Sequence, residues 1–344
     1  MRAKLKPLHE QVIVITGASS GIGLATAREA ALRGASVLLV ARNEPALEAI
    51  AAHLRASGGK VAPCSIDVAE DGSADAIAAA AIRAFGGFDT WINCAAVSDY
   101  GTLEQIGVAE QRRVMDVNYF GMLRGSLAAL AHLRRRGGGA IINLGSIVSD
   151  RALVLQAPYS AAKAAVRAMT ENLRMQVDRE GLPVSVTLIK PAGVHTPFPE
   201  HARNHMGAPP RIPQVIYAPE LVADAILFAA EHPRRQIYVG GYGFVLSLLA
   251  RLFPRTTDFI MEQTFVGSQQ SPGQPGDPAA RDNLWEPKKD GRVNGLQPAH
   301  AKRWSALLEA QKHPVAAAAL TATGLMAAAL LLVPAARRRP AASA

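Results

Sequence analysis

Only two cysteines, Cys64 and Cys94, occur in the 344 residues, and each lies in an apolar run of strand character. That count excludes a disulfide framework and points to a reducing compartment. Aromatic residues are scarce, 5% of the chain, and none is interleaved with the arginine clusters at 134–136 and 337–339. The formal charge of +9 therefore does not describe a nucleic-acid surface; it fits anionic lipid or a phosphorylated small molecule better. The N-terminal MRAKLKPLHEQ has no apolar core of its own ahead of the first strand, so no cleaved secretory signal is expected. Charged residues make up 19% against 49% hydrophobic, too few for wholesale disorder.

Strand-like runs stand at 12–16, 36–41, 61–67, 90–95, 140–146, 184–190 and 236–240, separated by Ala-rich stretches of helical period such as ATAREAALR and SADAIAAAAIRAF. This alternation implies right-handed βαβ crossovers, hence an α/β fold with a doubly wound, mostly parallel sheet of about seven strands. Asn43-Glu44-Pro45 reads as a helix cap and first turn, while Gly34, Gly58 and Gly181 stand just past helix ends. The expected organisation is a catalytic domain over 1–265, a Pro/Gly-rich linker or surface-hugging extension over 266–313, and a terminal segment over 314–344. That last segment contains nineteen uncharged residues, 315–333, between Pro314 and Pro334 and followed by Arg337, Arg338 and Arg339. At 1.5 Å per residue the run would extend about 28 Å, enough for a single membrane helix. An Ala-rich helix packed on protein is the competing reading. The apolar FVLSLLARLF at 244–253 divides between a helix resting on the same lipid surface and a helix closing the sheet.

The chemistry-bearing residues begin immediately after the first strand with Thr16-Gly17-Ala18-Ser19-Ser20-Gly21-Ile22-Gly23. Glycines there allow a tight turn and close approach of backbone to a pyrophosphate, and the following helix offers unpaired N–H groups. Farther on, Tyr159-Ser160-Ala161-Ala162-Lys163 sets a phenol and an ammonium at i and i+4 on one helix face. Nearby positive charge brings a phenol closer to use as an acid or base near neutrality.

The T-G-x-x-x-G-x-G and Y-x-x-x-K patterns resemble those of the short-chain dehydrogenase/reductase family, over about residues 8–245. The resemblance implies a Rossmann fold and an NAD(P)-dependent oxidoreductase that interconverts a carbonyl and an alcohol. It implies a catalytic set of Asn118, Ser146, Tyr159 and Lys163. In that set Ser146 polarises the substrate oxygen, Tyr159 transfers the proton, Lys163 holds the ribose and tunes the tyrosine, and Asn118 holds a relay water. Cofactor contacts are expected from Gly17, Ser19, Ser20, Gly21, Ile22, Gly23, Asp67, Val68, Asn93, Ala95, Val194 and Thr196, together with Tyr159 and Lys163. Asn93-Cys94-Ala95-Ala96 departs from the family's N-N-A-G, and Lys190-Pro191-Ala192-Gly193-Val194-His195-Thr196 carries one extra alanine before its glycine.

The second strand ends in Ala41-Arg42 with no carboxylate to bind a ribose 2′-hydroxyl, so NADP(H) is favoured over NAD(H). Residues 197–218, rich in proline, form the expected substrate lid. His201 and His205 have metal-ligand spacing but no third ligand, and no metal is expected. The helices around 104–136 and 158–180 resemble those that pair in the family's homodimers and homotetramers. A lipophilic substrate, membrane association through 315–333 and a cytoplasmic catalytic domain complete the reading. A catalytically silent nucleotide-binding sensor or scaffold is the alternative that loss of Tyr159 or Lys163 would have favoured; both are present.

Overall fold

The computed structural model describes residues 3–273, 275–277, 280–288 and 291–319. Seven strands form one sheet: β1 (Val12–Thr16), β2 (Ser36–Ala41), β3 (Lys60–Ser65), β4 (Thr90–Asn93), β5 (Gly139–Leu144), β6 (Val184–Pro191) and β7 (Gln236–Val239). Their order is β7-β6-β5-β4-β1-β2-β3, and every pairing is parallel. The chain winds outward from β1 to β3, returns to β4 beside β1, and winds outward again to β7. The order reverses between β1 and β4, where an open parallel sheet has its ligand crevice.

Alternation along the strands feeds two apolar layers. Ile13, Ile15, Val37 and Leu39 pack on one face under α1 (Gly21–Leu32), α2 (Glu44–Ala56) and, later in the chain, Pro219–Glu231. Val14, Leu38, Val40 and Ile141 pack on the other against α3 (Ser73–Phe85) and the long helices that follow. Burial on both faces is why these strands read as continuous Val/Ile/Leu runs. Local signals behave as their chemistry requires: Asn43 Oδ1 accepts from the Ala46 amide at 3.0 Å, capping α2, and Gly34, Gly58 and Gly181 take left-handed backbone angles.

Past β4 the helix α4 (Val108–Met115) runs through a π-helical turn at Asp116–Gly121 into α5 (Met122–Arg136). Helix α6 (Ala157–Arg179), the short α7 (Phe198–His201) and α8 (Pro219–Glu231) complete the domain. Helices α9 (Gly241–Leu252) and α10 (Pro254–Ser268) then form a hairpin beside β7. Within 244–253 Ala250 is buried while Phe244, Val245, Leu248, Leu249, Leu252 and Phe253 stay exposed, so the helix does not close the sheet as a core element. Beyond α10 the described parts of the Pro/Gly-rich stretch lie along the carboxyl edge of the sheet, and α11 (Ala306–Lys312) packs on β7. The expected membrane helix at 315–333 lies, past Ala319, outside the described residues. Among the described residues no helix is long and apolar enough to cross a membrane.

Candidate active site

One continuous cleft opens at the carboxyl ends of β1, β4 and β5, with an empty volume of about 1910 Å³, open solvent at its mouths included. Its floor is the glycine turn between β1 and α1. A Cβ at Gly17 would lie 2.8 Å from the Ala95 backbone, and one at Gly23 would lie 2.1 Å from the Gly17 carbonyl. Gly17 and Gly21 also take φ of +70° and +52°, where side chains are strained. The turn is thus a cradle that only glycine permits. Thr16 holds the neighbouring strand end in place, its hydroxyl accepting from the amides of Cys94 and Ala95 at 3.0 and 3.2 Å. Ile22 and Gly23 lie in the first turn of α1, where amides have no partner inside the helix. The turn therefore suits the pyrophosphate of a dinucleotide.

Gly17, Ser19, Ser20, Gly21, Ile22, Gly23, Arg42, Asp67, Val68, Ala95, Ser146, Tyr159, Lys163, Val194 and Thr196 all line this cleft. Asn93 and Asn118 do not. The Asn93 side chain enters a buried polar network beneath the sheet, accepting from Trp91 Nε1 at 2.8 Å and donating to Asn143 Oδ1 at 2.8 Å. Asn118 lies in the π-helical turn, and its side chain both accepts from the Val97 amide at 2.8 Å and donates to the Val97 carbonyl at 2.9 Å. It fixes the loop after β4.

Ser146 follows β5 and caps a short turn, its Oγ accepting from the Val148 amide at 3.3 Å. Tyr159, in the first turn of α6, lies in the same cleft wall as Ser146. Burial pushes the phenol well above its ordinary value, and the Ser146 hydroxyl opposes that shift. Lys163, one turn on, is 1% exposed. Its Nζ donates to the Leu144 carbonyl at 2.7 Å and sits 5.6 Å from the centre of the Tyr159 ring. Burial lowers this lysine to about 8. Cys94, in the loop after β4, is itself pushed up to about 12 by burial. At neutral pH it is a thiol and offers Lys163 no counter-charge. The loop after Ser146 is braced by Asp150, which accepts from Lys190 Nζ at 2.6 Å and from the Tyr238 hydroxyl at 2.9 Å.

At the far end the walls turn apolar: Phe198 from α7, Leu246 from α9, Met261 and Phe265 from α10, with Leu153 and Ile212. Phe198 packs on Tyr159 with ring centroids 5.4 Å apart. The residues 197–218 do border the cleft, as expected of a lid, but share that border with α9 and α10. Gln156 hydrogen-bonds Gln269 at 2.7 Å, and Arg151 is ion-paired with Asp258, joining α10 to the Ser146–Tyr159 loop. His205 pairs with Glu110 at 2.8 Å, while His201 is buried in the cleft wall.

At the other end Asp67, lowered below its ordinary value despite its burial, accepts from the Ala69 amide and from Arg113 and lies 3.6 Å from Arg42. The roof there comes from residues that the strand-and-helix pattern does not single out: Asn283, Pro287 and Lys288. The only traces of them in the sequence are isolated apolar residues, Leu284-Trp285 and Val293, in an otherwise polar stretch.

With this geometry the comparisons with known proteins agree. Residues 11–207 match the family described as short chain dehydrogenase. The chain belongs to that family. Among its relatives is an uncharacterized oxidoreductase, YxnA, of Bacillus subtilis, 42% identical over 328 residues that span 95% of this chain and 92% of that one. The short-chain reductase protein NovJ of Streptomyces niveus is 36% identical over 58% of this chain and 75% of its own. Of solved structures, L-sorbose reductase from Gluconobacter frateurii, complexed with NADPH and L-sorbose, superposes with a TM-score of 0.59 at 26% identity. It covers 70% of this chain and 98% of that one. An alcohol dehydrogenase from Thermococcus sibiricus, complexed with 5-hydroxy-NADP, gives 0.58 at 26%, covering 67% and 95%. This short-chain dehydrogenase is accordingly an oxidoreductase that works with a nicotinamide cofactor on a small molecule.

Proposed function

We propose that this enzyme uses NADP(H) to interconvert a ketone or aldehyde with its alcohol on a lipophilic substrate. The observation that carries the reading is the stacking of Ser146, Tyr159 and Lys163 along one wall of the cleft that begins at the glycine cradle. The dinucleotide would supply or take up the hydride. In the reductive direction Ser146 donates a hydrogen bond to the carbonyl oxygen, and Tyr159 transfers its proton to that oxygen as the alcohol forms. Lys163 then stabilises the tyrosinate left behind through its positive charge. The Asn118 side chain is held at both ends by Val97, so its part in the site is to fix the loop after β4. Phe198, Leu246, Met261 and Phe265 favour an apolar substrate body. The overall activity is tested by NADPH oxidation with a panel of apolar ketones and aldehydes.

NADP(H) preference is supported by the end of β2, where Ala41-Arg42-Asn43 brings no carboxylate. Asp67, 3.6 Å from Arg42, is already paired with Arg113. Wild-type protein is expected to bind NADPH at least ten times more tightly than NADH, and Arg42→Asp to reverse that order by placing a like charge against the 2′-phosphate. Fluorescence titration with both dinucleotides measures this, and equal wild-type affinities would rule it out.

A homodimer or homotetramer through α5 and α6 is supported by the exposed Phe120 beside α5, Leu127 on it and Met175 on α6. Light scattering at micromolar concentration should give a multiple of 36.3 kDa; a monomer would refute the assembly.

A further inference from the structure

We infer that residues 282–288 and 291–297 form a built-in strap that closes over the bound dinucleotide, so that cofactor exchange requires the strap to open. The inference rests on the dinucleotide reading of the cleft and concerns a part of the chain beyond the catalytic fold. The family match ends at residue 207, and L-sorbose reductase is aligned over 98% of its own length but only 70% of this chain.

The strap crosses the groove from one end to the other. At the adenosine end, Arg42 donates to the carbonyls of Asn283 at 2.5 Å and Trp285 at 3.0 Å, and Arg113 donates to the Leu284 carbonyl at 2.9 Å. The Arg113 guanidinium also lies 5.6 Å from the centre of the Trp285 ring. Leu284 is fully buried among Val97, Val114, Val117 and Ala162. Next along, Asn43 Nδ2 donates to the Lys288 carbonyl at 3.0 Å. Over the glycine turn, the Gly291 amide donates to the Ser19 carbonyl and the Gly21 amide donates to the Arg292 carbonyl, both at 2.9 Å. At the nicotinamide end, Glu200 accepts from Arg292 Nη2 at 2.6 Å and from the Leu296 amide. Gln297 exchanges two hydrogen bonds with the backbone of Ile212 at 2.8 and 2.9 Å.

Two features make this a clasp on the ligand site rather than ordinary surface packing. The strap bonds Ser19, Gly21, Arg42 and Asn43, which line the cofactor groove, and Arg113, which pairs with the groove's Asp67. Second, Asn283, Pro287 and Lys288 line the cleft themselves, so the strap contributes wall to it. Lys288 is a cation among those lining residues; its Nζ donates to the Glu200 carbonyl at 2.5 Å and is placed to turn to a phosphate of the dinucleotide. A roof anchored at both ends and in the middle slows both entry and departure, because each needs several of these contacts to break together.

The test uses the full chain loaded with NADPH, with release followed by stopped-flow fluorescence after mixing with excess NADP⁺. Leu284→Ala removes the buried anchor, and Arg292→Ala removes the Glu200 contact without touching the core, so one variant survives if the other folds poorly. Both are expected to release NADPH at least ten times faster than wild type, with weaker equilibrium binding. Lys288→Ala is expected to lower NADPH affinity. If NADH affinity falls equally the contact is to the pyrophosphate, and if NADPH alone is affected it is to the 2′-phosphate. Release rates in Leu284→Ala and Arg292→Ala equal to wild type would overturn the strap. So would tighter binding in both, which would make the segment a plug that competes with the cofactor. Failure of the wild-type protein to bind either dinucleotide would instead overturn the reading of the cleft.

Discussion

Tyr159→Phe is expected to bind NADPH as tightly as the wild type and to lose turnover by a factor of about 10²–10⁴, the range for removal of a positioned general acid. The change deletes one oxygen. The ring, with its contact to Phe198, remains, so the cleft keeps its shape. Because the phenol is raised by burial, it holds its proton at neutral pH and stands ready as the donor for reduction. Initial rates beside a fluorescence titration separate chemistry from binding. Turnover near wild type in this variant would remove Tyr159 from the mechanism.

Lys163→Met is the second large effect, and it moves stability and activity in opposite directions. An ordinary lysine ionises at about 10.5, and burial holds Lys163 at about 8. Below pH 8 the ammonium is charged in both folded and unfolded chains, so the folded state bears the full cost of burying it. That cost is on the order of 3 kcal/mol, and the variant recovers it less the ~1 kcal/mol given up with the hydrogen bond to the Leu144 carbonyl. Between pH 8 and 10.5 the folded lysine is neutral while the unfolded one still binds a proton, so wild-type stability rises with pH across that window. The variant without cofactor should therefore melt several degrees above wild type at pH 7, with the gap narrowing as pH is raised through 8 towards 10, while its activity falls at least a hundredfold. A lower melting temperature at pH 7 would show that Lys163 is structural rather than held at a cost for function.

The parts of the fold that were legible in the sequence are those with a period. Each of the seven strands was placed within a few residues by its Val/Ile/Leu run, and the glycine turn by a backbone requirement that only glycine meets. Boundaries moved where hydrogen bonding, not hydrophobicity, ends a strand: β3 stops at Ser65, two residues short of the expected 67, because Asp67 turns to accept from the Ala69 amide. Asn93 shows another gap. Its motif names the residue, but the pleat directs its side chain to Trp91 and Asn143 beneath the sheet. The strap was invisible for a different reason. It is held largely by backbone groups, such as the Gly291 amide and the Arg292 carbonyl, and backbone hydrogen bonds carry no side-chain signature. Only Leu284 and Val293, buried in separate clusters, marked it. Likewise Arg42 was visible as a missing carboxylate at the end of β2, but its three strap carbonyls were not.

The most direct measurement of the central claim follows the hydrogen itself. Full-length protein is incubated with an apolar ketone and NADPH deuterated in turn at each of the two C4 positions, and the alcohol product is analysed by mass spectrometry and NMR. The account predicts one deuterium at the carbinol carbon from one of the two labelled cofactors and none from the other, with alcohol formed in equal amount to NADPH oxidised. Tight binding of NADPH without deuterium transfer to any ketone or aldehyde in the panel, and without NADP⁺ reduction by the corresponding alcohols, would contradict it and leave a dinucleotide-binding protein that performs no hydride transfer on such substrates.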